Sequence, residues 1–315
     1  MKKESFWYTT KDQHEIHVKC WHSPTPPKAI VQIAHGMVEH IERYDAFATY
    51  LTEQGITVYG HDHRGHGKTG EKNNTQGFFA EKNGFDRVVY DCIELTEMIR
   101  ENNKQLPIFL VGHSMGSFIS RRYIMLTPQY LTGVILIGTS FQPNSLLNVA
   151  KQAAKVTTMF RGKNKEAKLM NKLTFLGYNK HTDKQTDFDW LCSVHKEVEQ
   201  YEEDKLCGFI PTNQFFYDLY TGIQLIQSKE KNKLIPTGLP LLFLSGKDDP
   251  VGQYGQGVEK CVDFYQTLGV KNIDLHLYEE KRHEILNETN KIDIFHEIVT
   301  WINRQMTCHN LTQSL

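Results

Sequence analysis

The chain has 315 residues, with 36 Lys plus Arg against 37 Asp plus Glu, a formal net charge of −1 and 39% apolar residues. That length buries a full core and allows either two domains or one large α/β domain with an insertion, since a domain averages about 150 residues. The near-neutral charge excludes a global basic field for nucleic acid and an acidic excess of the disordered kind.

The start, Met1-Lys2-Lys3-Glu4-Ser5-Phe6-Trp7, runs on into polar residues with no apolar segment of signal-peptide length, and no later apolar run approaches the ~20 residues of a bilayer span. The expectation is a soluble, cytoplasmic chain. Its six cysteines lack C-x-x-C spacing and suit reduced, mostly buried thiols.

In chain order, short β-rich runs alternate with longer amphipathic ones, the pattern of a mostly parallel sheet covered by helices. Phe6–Thr10 and Glu15–Trp21 read as a hairpin across Lys11-Asp12-Gln13-His14, and the second strand alternates polar with apolar as a half-buried strand does. Ala29–Ala34 is a strand, Arg43–Gln54 a helix ended by Gly55, Ile56–Gly60 a strand, and Gly84 to about Glu101 a helix. The apolar run from Leu106 enters Gly112-His113-Ser114-Met115-Gly116, a helix spans Met115–Leu126, and Gly133–Gly138 is a strand. From about 140 to 235 the chain is polar-helical without a strong strand. Strands return at Leu239–Ser245 and Asn272–Tyr278, with helices over Tyr254–Leu268 and about Lys291–Met306. The domain reading is a core over 1–139, an inserted helical cap over 140–235, and the second part of the core over 236–315.

The stretch Gly112 to Gly116 is a G-x-S-x-G pentapeptide between a strand and a helix, which reads as a nucleophile elbow. A serine on so sharp a turn has a strained backbone, and a side chain two positions before or after it would clash with neighbouring segments. The turn exposes the Ser114 hydroxyl, and the Met115 N–H opens the helix facing a developing oxyanion.

A serine nucleophile needs a base and a group that orients the base. After the strand ending at Ser245 comes Gly246-Lys247-Asp248-Asp249-Pro250, at the sheet edge where sites of open α/β sheets collect. Spacing leaves Asp248 and Asp249 both open, with Pro250 fixing the backbone beside Asp249. The strand Asn272–Tyr278 is followed by Glu279-Glu280-Lys281-Arg282-His283, which puts His283 on a loop able to swing over the serine. His276, inside that strand, reads as structural. The order Ser114, acid, His283 is that of an α/β-hydrolase. A second oxyanion donor is expected from the N–H of Met37, after the close-approach residue Gly36 in His35-Gly36-Met37-Val38-Glu39-His40.

With His35-Gly36-Met37-Val38-Glu39-His40-Ile41-Glu42-Arg43-Tyr44, His61-Asp62-His63-Arg64-Gly65-His66-Gly67 and Gly112-His113-Ser114-Met115-Gly116, the chain resembles the monoglyceride lipase and lysophospholipase branch of the α/β-hydrolases, the serine aminopeptidase S33-type hydrolase domain. The resemblance covers nearly the whole chain and is weakest in the cap. It implies an eight-stranded, mostly parallel sheet flanked by helices with a helical cap insertion, and ester cleavage without cofactor or metal. The family's G-x-x-D pattern falls on Gly246 and Asp249 and selects Asp249 as the acid. Glu39 and Arg43 match residues that help line the glycerol end of the pocket in monoglyceride lipases. A second histidine stands three residues after the catalytic one in those enzymes, and here that position is Leu286. The departure bears on the headgroup and leaves long-chain ester cleavage as the expectation.

Three other readings compete. The loop His61 to His66 has the residue types of a zinc site, but in the resembling family it is structural, with Asp62 and Arg64 tying it to neighbouring backbone. A non-catalytic scaffold on the same fold conflicts with an intact Ser114, Asp249 and His283 set. Amide cleavage of the proline-iminopeptidase type uses the same core and would want acidic residues in the cap, where Glu197, Glu199, Glu202, Glu203 and Asp204 form a run that also suits a solvated helix face. The cap carries Met159, Phe160, Leu173, Phe175, Leu176, Trp190, Phe209, Phe215 and Phe216, enough apolar surface for an acyl-chain tunnel. Its basic first half, Lys151 to Lys172, allows at most peripheral contact with anionic lipid. The expected partner is a small lipid or ester substrate.

Overall fold

Central strands rich in Val, Ile and Leu can be buried on both faces only if helices cover both, and that arrangement organises the molecule. A computed structural model describes residues 2–313. Strands β1 (Lys3–Thr9), β2 (Glu15–Trp21), β3 (Ala29–Ala34), β4 (Ile56–His61), β5 (Ile108–His113), β6 (Gly133–Ile137), β7 (Leu241–Gly246) and β8 (Ile273–Tyr278) form one sheet ordered β1-β2-β4-β3-β5-β6-β7-β8. The β1–β2 and β2–β4 pairs are antiparallel and all the others parallel. The helices are α1 (Asp45–Glu53), α2 (Gly67–Lys72), α3 (Gly84–Asn102), α4 (Met115–Leu126), α5 (Asn144–Arg161), α6 (Lys168–Thr174), α7 (His195–Glu203), α8 (Asn213–Ile226), α9 (Gln256–Thr267) and α10 (Lys291–Gln313).

Every residue of β3, β5, β6 and β7 is buried. Neighbours along a strand feed opposite layers: Ile30, Leu110 and Val134 join the core beneath α3, α4 and α8, while Val31, Val111 and Ile135 join the core with Phe47, Phe295 and Trp301. Helices α5 to α8 all lie between β6 and β7, with α5 packed on α8 and α8 resting on α3 and α4. Among the described residues no helix is long and apolar enough to cross a membrane.

Three local expectations are corrected. In β2 every residue after Glu15 is buried, because His17 pairs with Asp62 at 2.9 Å and Lys19 with Glu42, so these polar side chains sit inside with partners. The helix expected from Arg43 begins instead as a 3₁₀ turn over Ile41–Tyr44 before α1. Helix α2 was not expected; its six residues include two glycines and show no apolar period.

Candidate active site

The chain turns at Ser114 with φ 52° and ψ −117°, between β5 and α4. A non-glycine residue at positive φ costs energy, and the surroundings hold it: the Ser114 N–H donates to the Ile137 carbonyl at 2.8 Å and the Ser117 hydroxyl to the Ser114 carbonyl at 2.6 Å. The flanking glycines are required by space. A Cβ on Gly112 would lie 2.3 Å from Ser120 Oγ, and one on Gly116 would lie 1.9 Å from the Ala34 carbonyl oxygen.

Asp249 follows β7 and is fully buried, whereas Asp248 is exposed. Asp249 Oδ1 accepts the Val251 N–H at 2.8 Å, and its Oδ2 lies 2.9 Å from His283 Nδ1 and 3.3 Å from Ser245 Oγ. An ionised carboxylate only accepts, which assigns the proton to Nδ1 and leaves the Nε2 lone pair open. Nε2 is buried and has no hydrogen-bond partner. The imidazole lies between Trp190, 5.2 Å between ring centroids, and His113, at 4.8 Å. Beneath it is Gly138 at φ +60°, where a Cβ would come within 2.8 Å of His283 Cε1.

Ser114, Met115, Gly36, Met37 and His283 all line one cavity of about 1130 Å³. Met115 is the first residue of α4, so its N–H is among the donors a helix leaves unsatisfied. The loop carrying Met37 is braced from the inserted helices, since the Val38 carbonyl accepts the Gly208 N–H and the Tyr201 O–H, each at 3.0 Å. Leu173, Phe175, Leu176, Trp190 and Phe209 line the same cavity. Phe215 and Phe216 are buried in the core instead, and Met159 and Phe160 stand outside on the surface.

Glu39 lines the cavity, but Arg43 and Leu286 do not; they border a small void behind it. Arg43 is turned inward to Glu39 Oε2 at 2.7 Å and to both Glu284 oxygens at 2.6 and 2.7 Å. Leu286 is buried in the apolar layer with Ile285 and Phe295. These two positions, expected at the substrate, serve the interior. Burial alone would raise the Glu39 and Glu284 carboxyls, yet both are held below the usual range, Glu39 chiefly by its hydrogen bond to His113 and Glu284 chiefly by the Arg43 charge.

The loop from His61 to His66 is buried, with Asp62 and Arg64 bonded to neighbouring segments and His61 Nδ1 and His66 Nε2 left without a partner. Asp62 accepts the Ile41 and Lys68 N–H groups at 2.9 and 3.0 Å, as expected, but Arg64 pairs with the carboxylates of Asp91 and Asp12 rather than with backbone. Desolvation holds His61 and His66 down at about 4, so both are neutral. Among the described residues, ligand atoms close enough to share a metal belong to His40, Asp204 and Cys207, and there His40 already hydrogen-bonds Asp204 at 2.8 Å. Of the acidic run, Glu197 pairs with Lys291, Glu199 with His195 and Asp204 with His40, and none of the five lines the cavity.

A family model described as Serine aminopeptidase, S33 matches residues 25–290. The chain belongs to this family. Within the α/β-hydrolases it lies in the monoglyceride lipase-like branch: it is similar to the monoglyceride lipase homolog of Monkeypox virus, 28% identical over 296 residues covering 92% of this chain and 95% of the relative. It is similar also to the monoglyceride lipase of Rattus norvegicus, 27% identical over 303 residues, 94% of this chain and 89% of the relative. A thermostable carboxyl esterase from Bacillus coagulans, solved in complex with glycerol, matches with a TM-score of 0.88 at 27% identity over 97% of this chain and 99% of its own. A soluble variant of monoglyceride lipase from Saccharomyces cerevisiae shares the fold, with a TM-score of 0.76 at 18% identity over 97% and 95% of the two chains.

Sequence reasoning missed Gly138 and Glu284 at this candidate site, and it named Trp190 only as apolar cap surface. Gly138 follows β6 and supplies the floor under His283, Trp190 packs on the imidazole from the helices between β6 and β7, and Glu284, next to His283 in the chain, pairs with Arg43. A strand ending in glycine between the nucleophile strand and the acid strand was the one available signal; Trp190 and Glu284 had none, because their partners are distant in sequence.

Proposed function

We propose that this carboxylic-ester hydrolase cleaves lipid esters, of monoacylglycerol or lysophospholipid type, through an acyl-enzyme on Ser114. The observation that carries the reading is the buried Asp249–His283 pair with its unpartnered Nε2, His283 lining the same cavity as Ser114, Met37 and Met115. His283 Nε2 takes the Ser114 proton as Oγ attacks the ester carbonyl, and the two N–H groups receive the oxyanion. Asp249 stabilises the imidazolium that forms. The tetrahedral intermediate collapses, the C–O bond to the alcohol breaks, and Nε2 returns its proton to the leaving oxygen. Water then adds to the acyl-enzyme by the same proton path, releasing the acid and free Ser114. The sequence uses no cofactor.

The size and apolar lining of the cavity support a long acyl chain. Relatives named as monoglyceride lipases support the substrate class. Peripheral contact with a lipid surface is supported by Met159 and Phe160, 71% and 82% exposed, beside Arg161 and Lys163. Amide cleavage is disfavoured by the placement of the acidic run away from the cavity.

A fluorophosphonate probe should label the wild-type chain and leave Ser114→Ala unlabelled, with turnover of a long-chain p-nitrophenyl ester far exceeding that of a prolyl amide. Labelling that persists in Ser114→Ala sinks the nucleophile assignment, and faster amide turnover sinks the ester reading.

A further inference from the structure

The residue before the nucleophile, His113, is 5% exposed and touches all three parts of the site. Its Nδ1 lies 3.0 Å from Tyr44 Oη and 3.3 Å from Glu39 Oε1, and its Nε2 lies 3.4 Å from the His283 carbonyl oxygen. A proton count follows from these partners. Glu39 is a carboxylate that only accepts, and Tyr44, having one O–H, donates it to Glu39 Oε1 at 2.8 Å. The oxygen that Tyr44 turns towards His113 is therefore an acceptor as well. On the other side a carbonyl also only accepts. Both ring nitrogens of His113 face acceptors, and a neutral imidazole would leave one of them lone pair to lone pair.

We propose that His113 is held as a buried imidazolium whose two N–H groups tie the Glu39 loop to the His283 loop, making it a positioning residue for the catalytic base. This rests on the reading of Ser114 and His283 as nucleophile and base. The charges balance locally: Glu39 and Glu284 are the two anions, and Arg43 and His113 the two cations. Burial alone would lower the His113 pKa, but the hydrogen bond and charge of Glu39, with the charge of Glu284 and the His283 carbonyl, raise it above the ordinary histidine value. The groups facing it are Glu39, Arg43 and Tyr44 from the loop after β3 and the following turn, and His283 and Glu284 from the loop after β8. Asp249 lies on the far side of His283.

Glu39 also accepts the Gly36 N–H at 2.5 Å, so one ion cluster spans the Met37 loop, the elbow and the His283 backbone. The His113 ring also stands 4.8 Å from the His283 ring.

Nitrogen-15 histidine NMR on the intact chain at pH 8 tests the protonation directly. Both His113 ring nitrogens should appear protonated, with two downfield N–H signals that vanish in His113→Asn, and Glu39→Gln should return one nitrogen to the unprotonated range. In His113→Asn, kcat should fall about tenfold with KM within about twofold, the split expected of a residue that positions the base. A bare nitrogen on His113 in the wild type overturns the proposal, as does an unchanged kcat in a folded His113→Asn. Absent fluorophosphonate labelling of the wild type at Ser114 would instead strike the underlying reading, because labelling does not report on the state of His113.

Discussion

Asp249→Asn separates orientation of the base from packing around it. The substitution keeps the shape of a fully buried side chain, and the existing hydrogen bonds decide which way the new amide points. Asp249 Oδ1 accepts the Val251 N–H at 2.8 Å, so the amide oxygen takes that side and the NH₂ group takes the place of Oδ2. There it faces His283 Nδ1 at 2.9 Å and Ser245 Oγ at 3.3 Å. An N–H donor opposite Nδ1 requires the lone pair there and drives the ring proton to Nε2, which then cannot accept the Ser114 proton. Hydrogen bonds are conserved in number, so stability should change little. The serine-protease precedent for the wrong tautomer is a loss of about 10⁴ in kcat, about 5.5 kcal/mol of barrier. Steady-state hydrolysis of p-nitrophenyl butyrate, with melting temperatures run alongside, measures both quantities. Asp248→Asn, at an exposed neighbour, should leave kcat within about twofold. Asp249→Asn retaining a tenth of wild-type kcat while folded, or Asp248→Asn producing the collapse, would refute the reasoning.

Gly138→Ala should lower kcat/KM by about 10² or more and slow fluorophosphonate labelling in proportion, because its Cβ at φ +60° would come within 2.8 Å of His283 Cε1 and 3.0 Å of Nδ1; unchanged labelling would remove Gly138 from the site. Asp218 on α8 is buried, its Oδ2 lacks a partner, and burial pushes its carboxyl up to about 7 from 3.8. Its folded value lies above the unfolded one, so this stabilising protonation is complete below about pH 4 and lost as pH rises through about 7. Asp218→Asn should therefore gain stability relative to wild type between pH 5 and pH 8, on the order of 2 kcal/mol, read as a widening gap in melting temperature; a constant gap counts against it. Ile223→Trp, on the α8 wall of the cavity, should cut kcat/KM for a dodecanoyl ester about tenfold or more and spare the butanoyl ester, and an equal loss on both would mean the cavity is not the acyl site.

Legibility in the sequence followed the range of the interactions. The elbow is local: two glycines, a serine, an apolar strand before and a helix after, and the observed β5 and α4 begin and end within a residue or two of expectation. The strand ends before Asp249 and His283 were legible for the same reason, and burial separates Asp249 from Asp248 in a way that spacing could not. Polar residues buried by distant partners were not legible. His17 and Lys19 sit inside β2 because Asp62 and Glu42 meet them there, and Arg43 turned inward because Glu284, 241 positions later, completes its hydrogen bonds. No periodicity carries that information. Helix α2 escaped because a six-residue helix with two glycines is stabilised by its surroundings rather than by its own pattern.

The inward turn of Arg43 also bears on what this hydrolase recognises. Arg43 is committed to two carboxylates, Glu39 accepts from Gly36, Tyr44 and Arg43, and Glu284 accepts from Arg43 and Asn287. The polar groups at that end of the cavity are thus largely engaged with one another, and Leu286, behind the cavity, offers no hydrogen bond. A site that hydrogen-bonds its alcohol rejects analogues lacking the hydroxyl by large factors, because its own groups are then left unpaired. Here they are paired already, so that source of selectivity is small. Apolar contact with the acyl chain works differently, each methylene contributing about 1–3 kcal/mol at most. On the proposed ester reading, discrimination is expected to be graded along the acyl chain and permissive toward the alcohol, set by the residues between β6 and β7 that line the cavity, and an ester panel varying acyl length against alcohol checks it.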